Sequence, residues 1–302
     1  VLKILQGGFM QNKTIYISGV SVQNANLKST SQECDLLKSN YNNTRFLRRH
    51  DRLTLLLFTN LSELLKFKKV SSLILETYNN SLNSVRKYAL ELRKGGFNLA
   101  NPIDFVNLSS NTALGYAAKE FSLSGMTQQV STNGLEYAYQ IVKGGIVDAI
   151  ASIGIDEAIP VNHLSEGAAG FILSDKGQEN SFQVKDIYTS NMIINLKNEE
   201  NIIANLTKKF LLKNSLSNYG IKIYTNQCKL SSDLAVLSGD NLKVLCNIFS
   251  KINMFSVKTG QSRAASLYQG IALIVKNGRS GKYLISNVNS DRTITLVFLQ
   301  KD

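Results

Sequence analysis

An α/β fold made of two like halves is predicted by three features of this 302-residue sequence. Strand-like and helix-like stretches alternate along the chain. Some strand-like stretches, such as VDAIASIGI (147–155), are apolar throughout, as strands buried on both faces of a mixed sheet are. The order of elements in residues 10–175 also recurs in residues 176–302, which points to duplicated halves. No Pro/Gly/Ser-rich linker separates them and the only prolines are Pro102 and Pro160, so one fused body is expected.

In the first half, TIYISGVSV (14–22) alternates as a strand and leads towards a helix, and SSLILETYN (71–79) is a second strand. The helix NSVRKYALELRKGG follows, with Arg93 and Lys94 before a Gly pair, as the charge preference of helix C-termini and glycine capping expect. NTALGYAAKEF (111–121) is a small-residue helix suited to close packing, and EGAAGFILSD (166–175) closes the half as a strand. The second half repeats this grammar. SFQVKDIYTS and IKIYTNQ read as strands around the helix NIIANLTKKFLLKNSL, and DLAVLSGDNLKVLCNIFSKI is helical with a break near Gly239. SRAASLYQGIALIVKNG is a second small-residue helix, and KYLISNVNS with RTITLVFLQ forms a hairpin-like pair.

Composition removes several classes of function. With 43% hydrophobic residues the chain can bury a large core, yet no run of about 18 apolar residues exists to span a membrane. Met10 followed by a strand reads as a native start, with residues 1–9 an addition ahead of it, and the opening stretch lacks a secretory h-region. Cys34, Cys228 and Cys246 are odd in number and far apart. Neither a disulfide framework nor a zinc site follows, and a reducing cytoplasm is the expected location. The charge of +12 comes from scattered Lys and Arg with no continuous basic track, which argues against nucleic acid and for a solvated basic face or an acidic protein partner.

The stretch GMTQQVSTNGLEYAYQIVKGG (125–145) carries the functional question. Strand character from Gln128 to Ser131 runs into Ser131-Thr132-Asn133, residues that can cap a helix, and an apolar-striped helix ends at Gly144-Gly145. A strand, a sharp turn and a buried helix can hold a nucleophile at a helix N-terminus, where the dipole stabilises developing negative charge. The turn here contains no Cys. Ser131 lacks the Gly-x-Ser-x-Gly setting of a hydrolase nucleophile, and Cys228 has no His base near it in sequence.

Five stretches in order resemble the β-ketoacyl synthase branch of the thiolase fold. These are LRRHDRLTLL (47–56), NPIDFVNLSSNTALGYAAKEFSLSG, GLEYAYQIVKGGIVDAIASIGIDE, EGAAGFILSD and SVKTGQSRAAS (256–266). The resemblance implies a layered αβαβα architecture and a site with one Cys and two His. A condensing enzyme needs a thiolate to carry the acyl chain and donors to stabilise enolate and oxyanion. The family's spacing forward from Gly125 places its Cys about nine residues on, at Gly134, whereas the spacing back from Gly145 reaches Gln128, a disagreement of about six residues. Asn226 matches the first His, Gln261 the second, and Ser256 the Lys before it, with Lys258 out of register.

No catalytic residue, cofactor or metal is therefore assigned. The resemblance to chain-length factors, inactive partners of ketosynthases in type II polyketide and aryl-polyene-type systems, implies a heterodimer with an active ketosynthase and an acyl carrier protein as partner. Thr127, Gln129, Ser131, Thr132, Asn133 and Tyr137 would line the interface and acyl tunnel, and enlarging Gly134 would narrow that tunnel. Glu166 with Lys258 reads as a structural ion pair, and His163 as an exposed loop residue. The alternative is a diverged thiolase-fold decarboxylase or hydrolase acting on acyl thioesters.

Overall fold

The computed structural model describes residues 13–23, 50–78, 81–98, 100–109, 111–157, 166–177, 181–191, 199–214, 221–226, 253–257, 264–289 and 293–302. Its first half contains β1 (Ile15–Gln23), α1 (Arg52–Phe67), β2 (Leu73–Glu76), α2 (Leu82–Gly95), α3 (Pro102–Val106), α4 (Thr112–Glu120), β3 (Thr127–Val130), α5 (Gly134–Lys143), β4 (Ala149–Asp156) and β5 (Gly167–Ser174). The second contains β6 (Phe182–Thr189), α6 (Glu199–Lys213), β7 (Ile221–Asn226), β8 (Asn253–Val257), α7 (Ala264–Asn277), β9 (Gly281–Val288) and β10 (Ile294–Lys301).

The duplication is written in the strand order. One sheet of ten strands runs β3-β2-β4-β5-β1-β6-β10-β9-β7-β8. Counted from its outer edge, each half reads third, second, fourth, fifth, first, and the halves meet where β1 and β6 pair antiparallel at Ile15↔Val184 and Ile17↔Phe182. Within each half the second strand is parallel to its neighbours, and the fifth is antiparallel to the fourth and first. Parallel neighbours need crossover connections, which is why helices separate β2 from β3 and β4, and β7 from β9, in sequence.

Side-chain alternation then assigns the layers. Along β2, Ile74 joins one core with α5 (Leu135, Ala138, Val142) and α7 (Leu267, Tyr268, Ile271). Leu73 and Leu75 face the opposite way, into a second core with α1 (Leu57, Leu61, Leu64) and α4 (Ala113, Ala117). Such strands read as continuous apolar runs because neither face is wet. Helix α5 touches β6 as well as β1, β2, β4 and β5, and α7 touches β4 and β5 as well as β7 and β9. The two helices thus form a middle layer shared by both halves, the layered architecture the sequence implied.

Local caps follow ordinary rules in the outer layer. Asp51 accepts from the Thr54 backbone N–H at 3.0 Å to start α1, and Asn101 caps α3 with Pro102 at its first turn. Helix α2 is built inside out. Ser84 is its only buried residue, while Leu82, Val85 and Leu90 face solvent alongside Phe97, Phe105 and Val106. Two elements depart from the sequence pattern: β8 is a strand where that pattern predicts none, and α3 forms a separate short helix within the Pro-Asn stretch. The helix expected over 233–252 lies outside the described residues.

Candidate functional site

The elbow forms, but its cap is not the one the sequence suggested. Ser131, Thr132 and Asn133 make the turn between β3 and α5, and Asn133 at φ 63° and ψ 18° adopts the left-handed conformation that Asn tolerates well. An N-cap side chain works from an extended backbone, so Asn133 makes no capping bond. The acceptor comes from another strand instead. Glu76, last residue of β2, takes the Gly134 N–H on Oε2 at 2.8 Å and the Tyr268 hydroxyl on the same oxygen at 3.1 Å. The Leu135 N–H also bonds this carboxyl.

This group is sealed. Glu76 is 5% exposed, and Tyr268 shares a 3.0 Å hydrogen bond with Ser152 while its ring stacks on Phe171. Burial pushes the Glu76 carboxyl up to about 8, against the lowering pull of the Gly134 N–H and the Tyr268 hydroxyl, and the nearby Asp156 charge pushes it further the same way. Burial, with Glu76 beside it, likewise holds the Tyr268 phenol well above its ordinary value. The other middle-layer helix also starts on a first-half carboxyl. Asp156, at the end of β4, accepts the Ala265 N–H at 2.8 Å at the start of α7. Each middle-layer helix therefore begins on a buried carboxyl supplied by the sheet.

Gly134 is required by this closeness. A Cβ there would lie 2.9 Å from both Cβ and Oε2 of Glu76 and 3.1 Å from the Tyr268 hydroxyl. The side-chain direction at Gly134 thus points into the core, which corrects the expectation that enlarging it would narrow a tunnel. Thr127, Gln128 and Gln129 lie on β3, whose four residues are all half-buried and which pairs only with β2 among the described residues. Ser131 is exposed, Thr132 and Asn133 are half-buried, and Tyr137 packs part-buried against the central core.

Other candidates are placed less closely. Asn226 ends β7 and Ser256 lies on β8, where the parallel register pairs Thr225 with Ser256 and Asn226 with Val257. Gln261, Lys258, His163, Cys34, Cys228 and Cys246 lie outside the described residues. The described partner of Glu166 is Arg52, which donates to both carboxylate oxygens through Nε and a terminal nitrogen. The His50 ring sits 4.4 Å from Tyr116 and 5.4 Å from Phe58, between centroids. No helix among the described residues is long and apolar enough to cross a membrane, and these residues contain no cluster of metal-ligating side chains.

Two helices from opposite halves, laid between the halves of a sheet with the order 3-2-4-5-1 repeated, define a thiolase-type fold. Solved structures agree. The ishigamide ketosynthase/chain length factor superposes with a TM-score of 0.74 at 14% identity, over 95% of this chain and 99% of that one. A β-ketoacyl synthase from Burkholderia phymatum STM815 gives 0.71 at 12% identity, over 96% of this chain and 100% of that one. A type II polyketide acyl-carrier protein in complex with its ketosynthase gives 0.71 at 12%, over 95% and 99%. No family model matches the chain, and no curated protein matches it significantly. At these identities the likeness establishes the ketosynthase fold.

Sequence reasoning missed Glu76, Tyr268 and Asp156. The signal was present in LILE, where a lone carboxylate ends a strand with no polar alternation. A residue following three fully buried ones without a change of periodicity is itself buried, and a buried carboxylate needs donors.

Proposed function

We propose that this chain is a non-catalytic, ketosynthase-like subunit of the chain-length-factor kind. It pairs with an active ketosynthase and shapes that partner's acyl tunnel in polyketide or fatty-acid-type biosynthesis of the aryl-polyene sort. The observation that carries this reading is the filled helix end at the elbow. Acyl transfer there needs a nucleophile beside unoccupied N–H donors. Here the turn is Ser-Thr-Asn-Gly, and the Gly134 donor is already held by Glu76. In this reading the positions matched to the family's catalytic residues, Gln128 or Gly134, Asn226, Ser256 and Gln261, do no chemistry.

The edge strand supports a partnered role. Strand β3 offers a row of backbone groups to another chain, and thiolase-fold subunits pair through the strand before the elbow. In the assembled pair Thr127 and Gln129 would lie at the interface, with Ser131, Thr132, Asn133 and Tyr137 towards the tunnel. The excess of 34 Lys+Arg over 22 Asp+Glu suits an acidic acyl carrier protein.

Incubation with an acyl-loaded carrier, followed by intact mass measurement, should show no acyl adduct on the isolated chain. Co-expression with its cognate ketosynthase should give a heterodimer burying more than about 2,000 Å². A stable adduct would overturn the non-catalytic reading in favour of a diverged acyl-thioester enzyme. Unchanged product lengths when the chain is omitted would overturn the tunnel-shaping one.

A further inference from the structure

A cavity of about 290 Å³ lies away from the elbow, between the start of α1, the inner side of α2, α3 and the end of β4. Its lining is polar. Glu157 and Asn107 are 1% and 2% exposed, both line the cavity, and Glu157 Oε1 and Asn107 Oδ1 have no hydrogen-bond partner among the described residues. Two buried acceptors left over at one cavity are costly unless something supplies donors.

The charges say what that something carries. Of the cations lining the cavity, Arg52 is held by Glu166 and Lys87 by Asp104 at 2.7 Å. Asp51 is engaged by Thr54 and by the Ser84 hydroxyl at 3.1 Å, and Glu157 by the Asn83 amide at 3.0 Å and by the Leu53 N–H. The ion pairs of these two cations thus run to Glu166 and Asp104, not to Asp51 or Glu157. His50, the remaining titratable group on the lining, meets Tyr116 edge-on and Phe58 at a tilt. A ligand that fits must be small, bring N–H donors and bring positive charge.

We propose that this cavity binds a small primary amine, whose ammonium group donates to Glu157 and Asn107. Burial foremost, with Asp51 and Glu166 adding to it, pushes the Glu157 carboxyl up to about 8, so at pH 7 this group is largely protonated when the cavity has no cation. An ammonium beside it favours the ionised form, and the proton is released to solvent. Binding is thereby linked to proton release between about pH 6 and 8, and it tightens as pH rises through that range.

Ethanolamine titrated into the full chain at pH 7.0 tests this, by calorimetry in two buffers of different protonation enthalpy. The expected result is saturable binding at one site with net proton release, weakened at least tenfold in Glu157→Gln and in Asn107→Leu while both variants keep the wild-type circular dichroism. Tetramethylammonium, a cation without N–H donors, and glycerol, a donor without charge, should bind at least tenfold more weakly. Absence of ethanolamine binding at 50-fold excess over about 1 mM, a level weak for any specific site, would overturn the proposal and leave a water-filled cavity. Equal binding by Glu157→Gln, by tetramethylammonium or by glycerol would overturn it as well. If both variants fail to fold, competition of ethanolamine against tetramethylammonium on the wild type decides.

Discussion

Two buried glutamates in this molecule share one property and differ in everything around it. Burial pushes both Glu76 and Glu157 up to about 8. Glu76 is met by the Gly134 and Leu135 N–H groups and by the Tyr268 hydroxyl, with no room for a Cβ at its neighbour Gly134. Glu157 is met by the Asn83 amide and the Leu53 N–H, and its Oε1 has no hydrogen-bond partner among the described residues, on a residue that lines a cavity. The perturbed acidity alone therefore does not mark a working site. What separates a structural carboxyl from a binding one is whether its hydrogen-bonding capacity is already exhausted by the fold.

The comparison is broken most directly by filling space on the crowded side. Valine at Gly154, whose Cβ would overlap the Tyr268 ring, should lower unfolding free energy by 3 kcal/mol or more, at about the upper end of overpacking costs. Urea denaturation measures it, and a stable Gly154→Val protein would show that the middle layer is looser than described. Next come the glutamates themselves. Glu76→Ala strands the Gly134 and Leu135 N–H groups and leaves the Tyr268 hydroxyl only Ser152, so a loss of about 2–4 kcal/mol is expected, whereas Glu157→Ala borders a cavity that water can enter and should cost about 1 kcal/mol. Equal losses would erase the distinction drawn between them.

The pH dependence sharpens it further. Both carboxyls titrate higher in the folded chain than the ordinary 4.5, so the folded state holds protons that the unfolded chain has released. Their contribution is fully present below about pH 4.5 and is lost as pH rises to about 8, by about 1.4 kcal/mol per group for each pH unit crossed. Glu76→Gln and Glu157→Gln should each flatten that slope in thermal melts between pH 5 and 8, and ethanolamine should flatten only the part that Glu157→Gln removes. The smallest effect is expected at the partly exposed Arg52–Glu166 pair. There Arg52→Ala should cost about 1 kcal/mol or less, and less again in high salt.

The sequence made the repeated architecture readable because strands covered on both faces lose their alternation. AIASIGID and GAAGFILS declare themselves as β4 and β5 in this way. The small-residue helix SRAASLYQGIALIVKNG was equally plain as α7, since Ala and Gly permit the close approach a middle layer needs. The elbow was legible as a turn but not as a chemical environment. Its Asn-Gly pair signals a left-handed residue, yet the acceptor that replaces side-chain capping stands on β2, 58 residues earlier in the chain. Contacts of that separation leave no periodic trace. The cavity was invisible for the same reason, because His50, Asn107 and Glu157 meet only once α1, α3 and β4 are assembled.

Helix α2 has a consequence for how this protein can be handled and how it lives. Its Leu82, Val85 and Leu90 point outward near Phe97 and Phe105, on a molecule whose β3 also lies at a sheet edge among the described residues. Apolar patches and unpaired edges are the surfaces that chaperones hold and that proteases and inclusion bodies collect. Produced alone, the chain should come out of solution in proportion to its concentration and respond to detergent or to exchange of Leu82 and Leu90 for Lys. Its abundance in a cell would then follow the supply of whatever covers that face, making recovery from the soluble fraction a convenient gauge of assembly.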